Sequence, residues 1–138
     1  MYLLDTNAVS EIRKISQGKA NQGFNNWFKT ISISDLYVNT VVLMELEKWY
    51  LLKARKDKVQ ADILENWVLN KVYPMFDNRI LIIDTAVAKV CAKLFVPNPK
   101  PENDAWIGAT AIAHDLIVVT RNVDDFAEMP VKLLNPFN

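Results

Sequence analysis

Five short apolar runs punctuate this chain: YLL before Asp5, LYV before Asn39, ILII before Asp84, LIVV before Thr120 and VKLL before Asn135. Each is bounded by polar or turn-forming residues, the signature of buried strands. Longer segments with helical periodicity lie between them. Ala86, Val87, Val90, Cys91 and Leu94 form one apolar stripe with Lys89 and Lys93 off it, and Val41 to Arg55, Val59 to Val72 and Ala105 to Ala113 also read as helices. Strands that alternate with helices favour parallel pairing with helical crossovers on both faces, so the expected class is α/β, a parallel-sheet α/β/α sandwich. The proline stretch VPNPKPEND reads as a loop entering a helix and is too short to separate domains, so residues 1–138 are expected to form a single domain.

Composition narrows the function classes. A 51% hydrophobic content with only 3 glycines excludes a disordered or low-complexity chain. The one cysteine, Cys91, excludes an internal disulfide framework. The start MYLLDTN lacks a signal-peptide pattern, and the most apolar stretch, VVLMELEKWYLL, is interrupted by Glu45, Glu47 and Lys48. A cytoplasmic protein with no membrane association is the expectation. Net charge is zero, which excludes an indiscriminate polyanion binder. Its distribution is uneven, however: between Ile12 and Lys58, nine basic residues face four acidic ones. Such a run is either a solvated helix face or a footprint for a phosphate backbone.

In a parallel sheet, ligands bind beyond the carboxyl ends of the strands. The polar residues that follow the apolar runs are therefore the candidates: Asp5, Thr6 and Asn7 after the first, Asp84 after the third, Thr120, Asn122 and Asp124 after the fourth. Asp104 closes the proline loop at the start of the apolar helix DAWIGATAIA, where it either caps the helix or faces a cleft. Glu45 is embedded among Val41, Val42, Leu43, Met44 and Leu46, an environment costly for a carboxylate unless it is paired or metal-bound. If Asp5, Glu45, Asp104 and Asp124 converge, a shared proton or a cation must relieve their repulsion. All-oxygen ligands select Mg²⁺ or Mn²⁺, and such clusters commonly hydrolyse phosphodiesters.

These motifs together, DTNAVSEI, TVVLMELEKW, DAWIGATA and VVTRNVDDF, with the LLNPF ending, resemble the PIN-domain family and, within it, the ribonuclease toxins of VapBC-type toxin-antitoxin pairs. The resemblance implies a Mg²⁺-dependent endoribonuclease, with Mn²⁺ as the alternative ion, whose substrate is RNA. Asp5 and Asp104 match the principal metal ligands and Glu45 the helix-borne third acid. Thr6 and Asn7 match the polar pair that orients the first acid or contacts a phosphate, and Thr120 and Asn122 are placed with them. Asn122 stands where many relatives carry aspartate; Asp124 could compensate, with Asp125 capping the turn before Phe126. A second departure follows Glu45, where relatives often place a glycine and this chain has Lys48, Trp49 and Tyr50. The resemblance also implies a homodimer and a cognate antitoxin partner, and the apolar residues Trp49 to Leu52 and Trp67 to Leu69 suit an interface or extra core.

Other residues carry plainer expectations. His114 suits a helix C-terminus, Asp84 a helix cap, and Cys91 an apolar core. Phe24, Trp27 and Phe28 are spaced for packing rather than base stacking. An aspartyl phosphatase is disfavoured because Asn7 stands where its second aspartate belongs, and no glycine-rich phosphate loop is present. The competing reading from another class is a catalytically degenerate PIN-like module that binds RNA or a protein without cutting.

Overall fold

The computed structural model describes residues 1–138. Five parallel strands, β1 (Tyr2–Leu4), β2 (Leu36–Asn39), β3 (Ile80–Leu81), β4 (Ile117–Val119) and β5 (Leu133–Leu134), lie in the order β3-β2-β1-β4-β5. β1 is central, pairing Tyr2 with both Leu36 and Ile117, and its Leu3 and Leu4 are fully buried. Burial on both faces is why these strands read as unbroken apolar runs. All five expected strands form, although ILII keeps ladder pairing only at Ile80 and Leu81, after which the chain leaves the sheet toward Asp84.

Helices flank the sheet: α1 (Thr6–Ser16), α2 (Gln22–Phe28), α3 (Thr40–Lys53), α4 (Lys58–Trp67), the short α5 (Tyr73–Met75), α6 (Thr85–Leu94) and α7 (Glu102–His114). A single π-helical turn, Val68–Val72, runs on from α4, so the expected helix from Val59 to Val72 changes hydrogen-bond pitch near its end. Asp84 caps α6 by accepting the Val87 amide (3.0 Å), and Cys91 is buried on that helix. Helix α7 opens at Glu102 rather than at Asp104, with Pro101 before it supplying no side-chain cap. Asp104 is therefore a first-turn residue and not the cap.

One core joins 28 buried residues from every layer. Phe24 of α2 lies at its edge with ring centroids 5.6 Å from Trp27, 6.0 Å from Phe28 and 5.0 Å from Phe137, so these aromatics pack as expected. Buried polar groups are used as joints. Asn39, at the end of β2, accepts the Val42 amide to cap α3 and donates to Thr110 of α7 (both 3.0 Å). Glu11 of α1 accepts the Asn21 amide (2.6 Å) at the cap of α2. No buried side-chain polar atom lacks a partner. Gly23 is required because a β-carbon there would sit 2.5 Å from the Pro136 carbonyl oxygen.

Candidate active site

The carboxyl ends of β1, β2 and β4 open on one cleft of about 130 Å³, lined by Asp5, Thr6, Asn7, Glu45, Asp104, Ile107 and Asn122. Asp5 leaves β1 and serves as the N-cap of α1, its Oδ1 accepting the Ala8 amide at 2.9 Å. That bond fixes the side chain at the wall of the cleft. Thr120, fully buried after β4, lies beside Asp5, and its hydroxyl accepts the Asn122 amide (2.9 Å). The buried position pushes the Asp5 carboxyl above the usual aspartate range, against the pull of its bonds to Thr120 and Ala8; the charges of Glu45 and Asp125 push it further up.

Glu45 is held from two sides. The Thr6 hydroxyl of α1 donates to its Oε1 at 2.6 Å, and the Asn103 amide of α7 donates to its Oε2 at 3.3 Å. Three helices are thus tied at one carboxylate. Asn103 carries no functional signal in the sequence, since its partner lies 58 residues away; its place one residue before Asp104 at a helix start is the only feature that draws attention to it.

Asp104 is half-buried in the first turn of α7, and its pKa is pushed up to about 6, first by loss of hydration and then by the charges of Asp125, Asp5 and Glu45. Asp125, not Asp124, is the fourth acid felt at both aspartates. The two share the single 3-10 turn Val123–Phe126, in which neighbouring side chains point about 120° apart, and neither lines the cleft itself. Asp124, exposed like Asp125, exerts no such pull on Asp5 or Asp104. Asn122 reaches the rim, Asn7 is exposed there and Ile107 forms the apolar wall.

None of these acids is paired with Lys, Arg or His. Nor are any three His, Cys, Asp or Glu side chains gathered closely enough to enclose an ion by themselves. The donor set still fits Mg²⁺, which is usually bound through one or two carboxylates while water and substrate phosphate complete its octahedron. Asp5, Asp104 and Glu45 all line the cleft; each Glu45 oxygen already accepts one hydrogen bond, which fixes the side chain and leaves lone pairs on both.

The raised carboxyl of Asp104 has a measurable consequence. Its folded-state pKa of about 6 exceeds the ordinary 3.8, so between those values the folded chain binds the proton more tightly than the unfolded one. Stability in EDTA should therefore fall as pH rises from about 4 to about 6, by about 1 kcal/mol once solvent screening at this half-exposed group is discounted. Denaturant melts at both ends of that window, on the wild type and on Asp104→Asn, check it: the decline should shrink in the variant, and equal slopes would place the titration elsewhere.

Comparison with known proteins gives a consistent result. A model of the PIN domain matches residues 2–132. The chain is 31% identical to Toxin FitB of Neisseria gonorrhoeae, an alignment covering 100% of this chain and 99% of the relative. It is 28% identical to VapC ribonuclease Y4jK of Sinorhizobium fredii, over 99% of this chain and 98% of that one. The crystal structure of FitAcB from Neisseria gonorrhoeae superposes with a TM-score of 0.86 at 28% identity, over 99% of this chain and 98% of that chain.

Proposed function

Since this chain belongs to the PIN-domain family, we propose that it is a metal-dependent endoribonuclease that acts as the toxin of a toxin-antitoxin pair. The observation that carries the reading is the unneutralised pair Asp5 and Asp104, raised by burial and by the charges around them at the carboxyl ends of parallel strands. A site that holds like charges without a cation of its own is built to receive one. The similarity to a toxin and to a VapC ribonuclease over nearly the full length supports the same assignment.

In this reading Asp5 and Asp104 hold Mg²⁺, with Mn²⁺ as the substitute. When bound, the ion supplies charge neutralisation and lowers the pKa of a coordinated water toward neutrality. Glu45, fixed by Thr6 and Asn103, adds negative charge to the ion's second layer without leaving its helix. Asp125 adds to the same field, while Thr120 steadies Asp5. Asn7 and Asn122 present neutral amides at the rim, where they can donate to phosphate oxygens.

The proposed protein partner is an antitoxin. A broad apolar groove of about 800 Å³ on α3, lined by Leu43, Met44, Leu51, Leu52 and Tyr73, is available to it. Met44, Leu51 and Leu52 are 44%, 61% and 56% exposed, more apolar surface than a helix leaves uncovered without reason. Val59, Ile63 and Leu69 extend the apolar surface along α4 and its π turn, and a homodimer is proposed there. Residues 1–138 act as one domain, and no helix is long and apolar enough to cross a membrane; the proposed place of action is the cytoplasm.

The test is incubation of purified protein with end-labelled structured RNAs in Mg²⁺, in Mn²⁺ and in EDTA. Discrete fragments that require the metal support the nuclease. If no RNA is cut and metal leaves the melting temperature unchanged, the degenerate module, favoured by Asn122 in the place of an acid, replaces it.

A further inference from the structure

Beyond the rim of the cleft, α1 and α3 turn stripes of side chains toward a common groove. On α1, Thr6, Ser10, Arg13 and Lys14 recur at i, i+4, i+7 and i+8; on α3, Glu45, Trp49, Leu52 and Lys53 recur at the same intervals. Each set therefore occupies one helix face. The groove, of about 380 Å³, is walled by Thr6, Asn7, Ser10, Arg13, Lys14 and Trp49. At one end it runs into the acid-lined cleft, with which it shares Thr6 and Asn7. At the other it meets a hollow of about 630 Å³ lined by Trp49, Leu52, Lys53, Arg55 and Lys56. Trp49 is common to both spaces.

Two features distinguish this path from an ordinary solvated face. Arg13, Lys53, Arg55 and Lys56 form no ion pair, and Lys14, 3.4 Å from Glu11, keeps half of its side chain exposed. Five cations thus line a furrow that ends at carboxylates. The Trp49 indole, 38% exposed, stacks on no other ring, unlike the aromatics of α2. It stands one helical turn, about 6 Å, beyond Glu45. An exposed indole beside accessible cations is the combination by which proteins hold unstacked nucleotides: bases stack on the aromatic and phosphates lie on the cations.

We propose that this groove is the track by which single-stranded RNA reaches the cleft, with an unpaired base stacked on Trp49 and adjoining phosphates on Arg13 and Lys14. Lys53, Arg55 and Lys56 hold the backbone farther out. The assignment rests on the nuclease reading and names the form of its substrate: a loop, bulge or end whose base can swing out, since bases stacked inside a duplex offer no face to the indole. It also gives the basic segment between Ile12 and Lys58 its role, because all five cations come from it.

The test measures binding apart from cleavage. A fluorescein-labelled 12-nucleotide RNA of mixed sequence and the same RNA annealed to its complement are titrated in EDTA, by anisotropy, against wild type, Trp49→Ala, Trp49→Phe and the double variant Arg13→Ala, Lys14→Ala. Loss of one stacked base should weaken single-strand binding in Trp49→Ala by about 10- to 100-fold, with Trp49→Phe recovering most of it and the duplex little affected. The double variant should flatten the slope of log affinity against log salt by about 1.4, two phosphate contacts on a single strand. Affinity within about twofold of wild type in Trp49→Ala, or equal losses for strand and duplex, overturns the track. So does a change of sedimentation coefficient in Trp49→Ala with RNA affinity intact, which would make this face a protein interface. Should Trp49→Ala melt far below wild type, Trp49→Phe and the salt slope of the double variant decide.

Failure of the track and failure of the nuclease stay separable. Metal-dependent cutting indifferent to Trp49 overturns the track alone. Trp49-dependent strand binding with no cutting in Mg²⁺ keeps the track and overturns the nuclease.

Discussion

Metal-dependent RNA cleavage should fall by about a thousandfold or more when Asp5 and Asp104 are replaced together by asparagine, because the variant keeps the shape of both side chains and loses both charges that would hold the ion. Fold damage is not the expected cause. An asparagine at position 5 still offers an oxygen to the Ala8 amide, which at 2.9 Å caps α1. Removing two like charges from a partly buried cleft also relieves the repulsion that raises both carboxyls, so in EDTA at pH 7 the variant should melt no lower than wild type. With Mg²⁺ the order should reverse, since only the wild type gains from binding the ion. Calorimetry in both buffers, beside a gel of cleavage products, checks all three statements. Full activity in the variant would place the chemistry elsewhere or in a contaminant.

The largest expected loss of stability is at Phe24. Its ring is fully buried among Trp27, Phe28 and Phe137, and truncation to alanine removes its contacts with these three aromatic neighbours while leaving a cavity between α2 and the last residues of the chain. Phe24→Ala should cost about 3 to 5 kcal/mol, read from urea melts, and Phe24→Leu about 1.5 kcal/mol or less. A loss below about 1 kcal/mol for the alanine variant would mean that the aromatic cluster is dispensable. Activity should decline with it, for a mechanical reason. Arg121 lies 4.3 Å from the centre of the Phe137 ring, and Phe137 rests on Phe24. Arg121 directly precedes Asn122 at the rim, so the cluster supports one wall of the cleft from beneath.

How much of this can be read in the amino-acid order follows from what holds each element. Strands buried on both faces announce themselves as apolar runs, and α6 as a clean stripe, because local composition and local burial coincide. Helix α1 carries its own stripe, Ala8, Val9, Ile12 and Ile15, but Glu11 is buried beside it, tolerated because Asn21 and Lys14 satisfy it. The prolines before α7 suggest a loop that lasts as far as Asp104, whereas proline is compatible with a helix's start and the helix opens at Glu102. At the site, Asp5, Glu45 and Asp104 are legible as acids in apolar settings. Asn103, and the charge of Asp125 felt at Asp5 and Asp104, are not, since each depends on segments brought together only by the fold.

The place of β1 in the sheet carries a consequence for synthesis. The strand that emerges first from the ribosome is the middle one, and the neighbour on one of its sides, β4, is made only after residue 116. Until then Asp5 has no Thr120 beside it, and until α7 is made it has no Asp104 opposite, so the shorter pieces of the chain lack one of the two aspartates proposed to hold the ion. Such long-range parallel pairing folds late and as a whole. Under the proposed nuclease reading, the site would therefore stay incomplete for most of the chain's own translation.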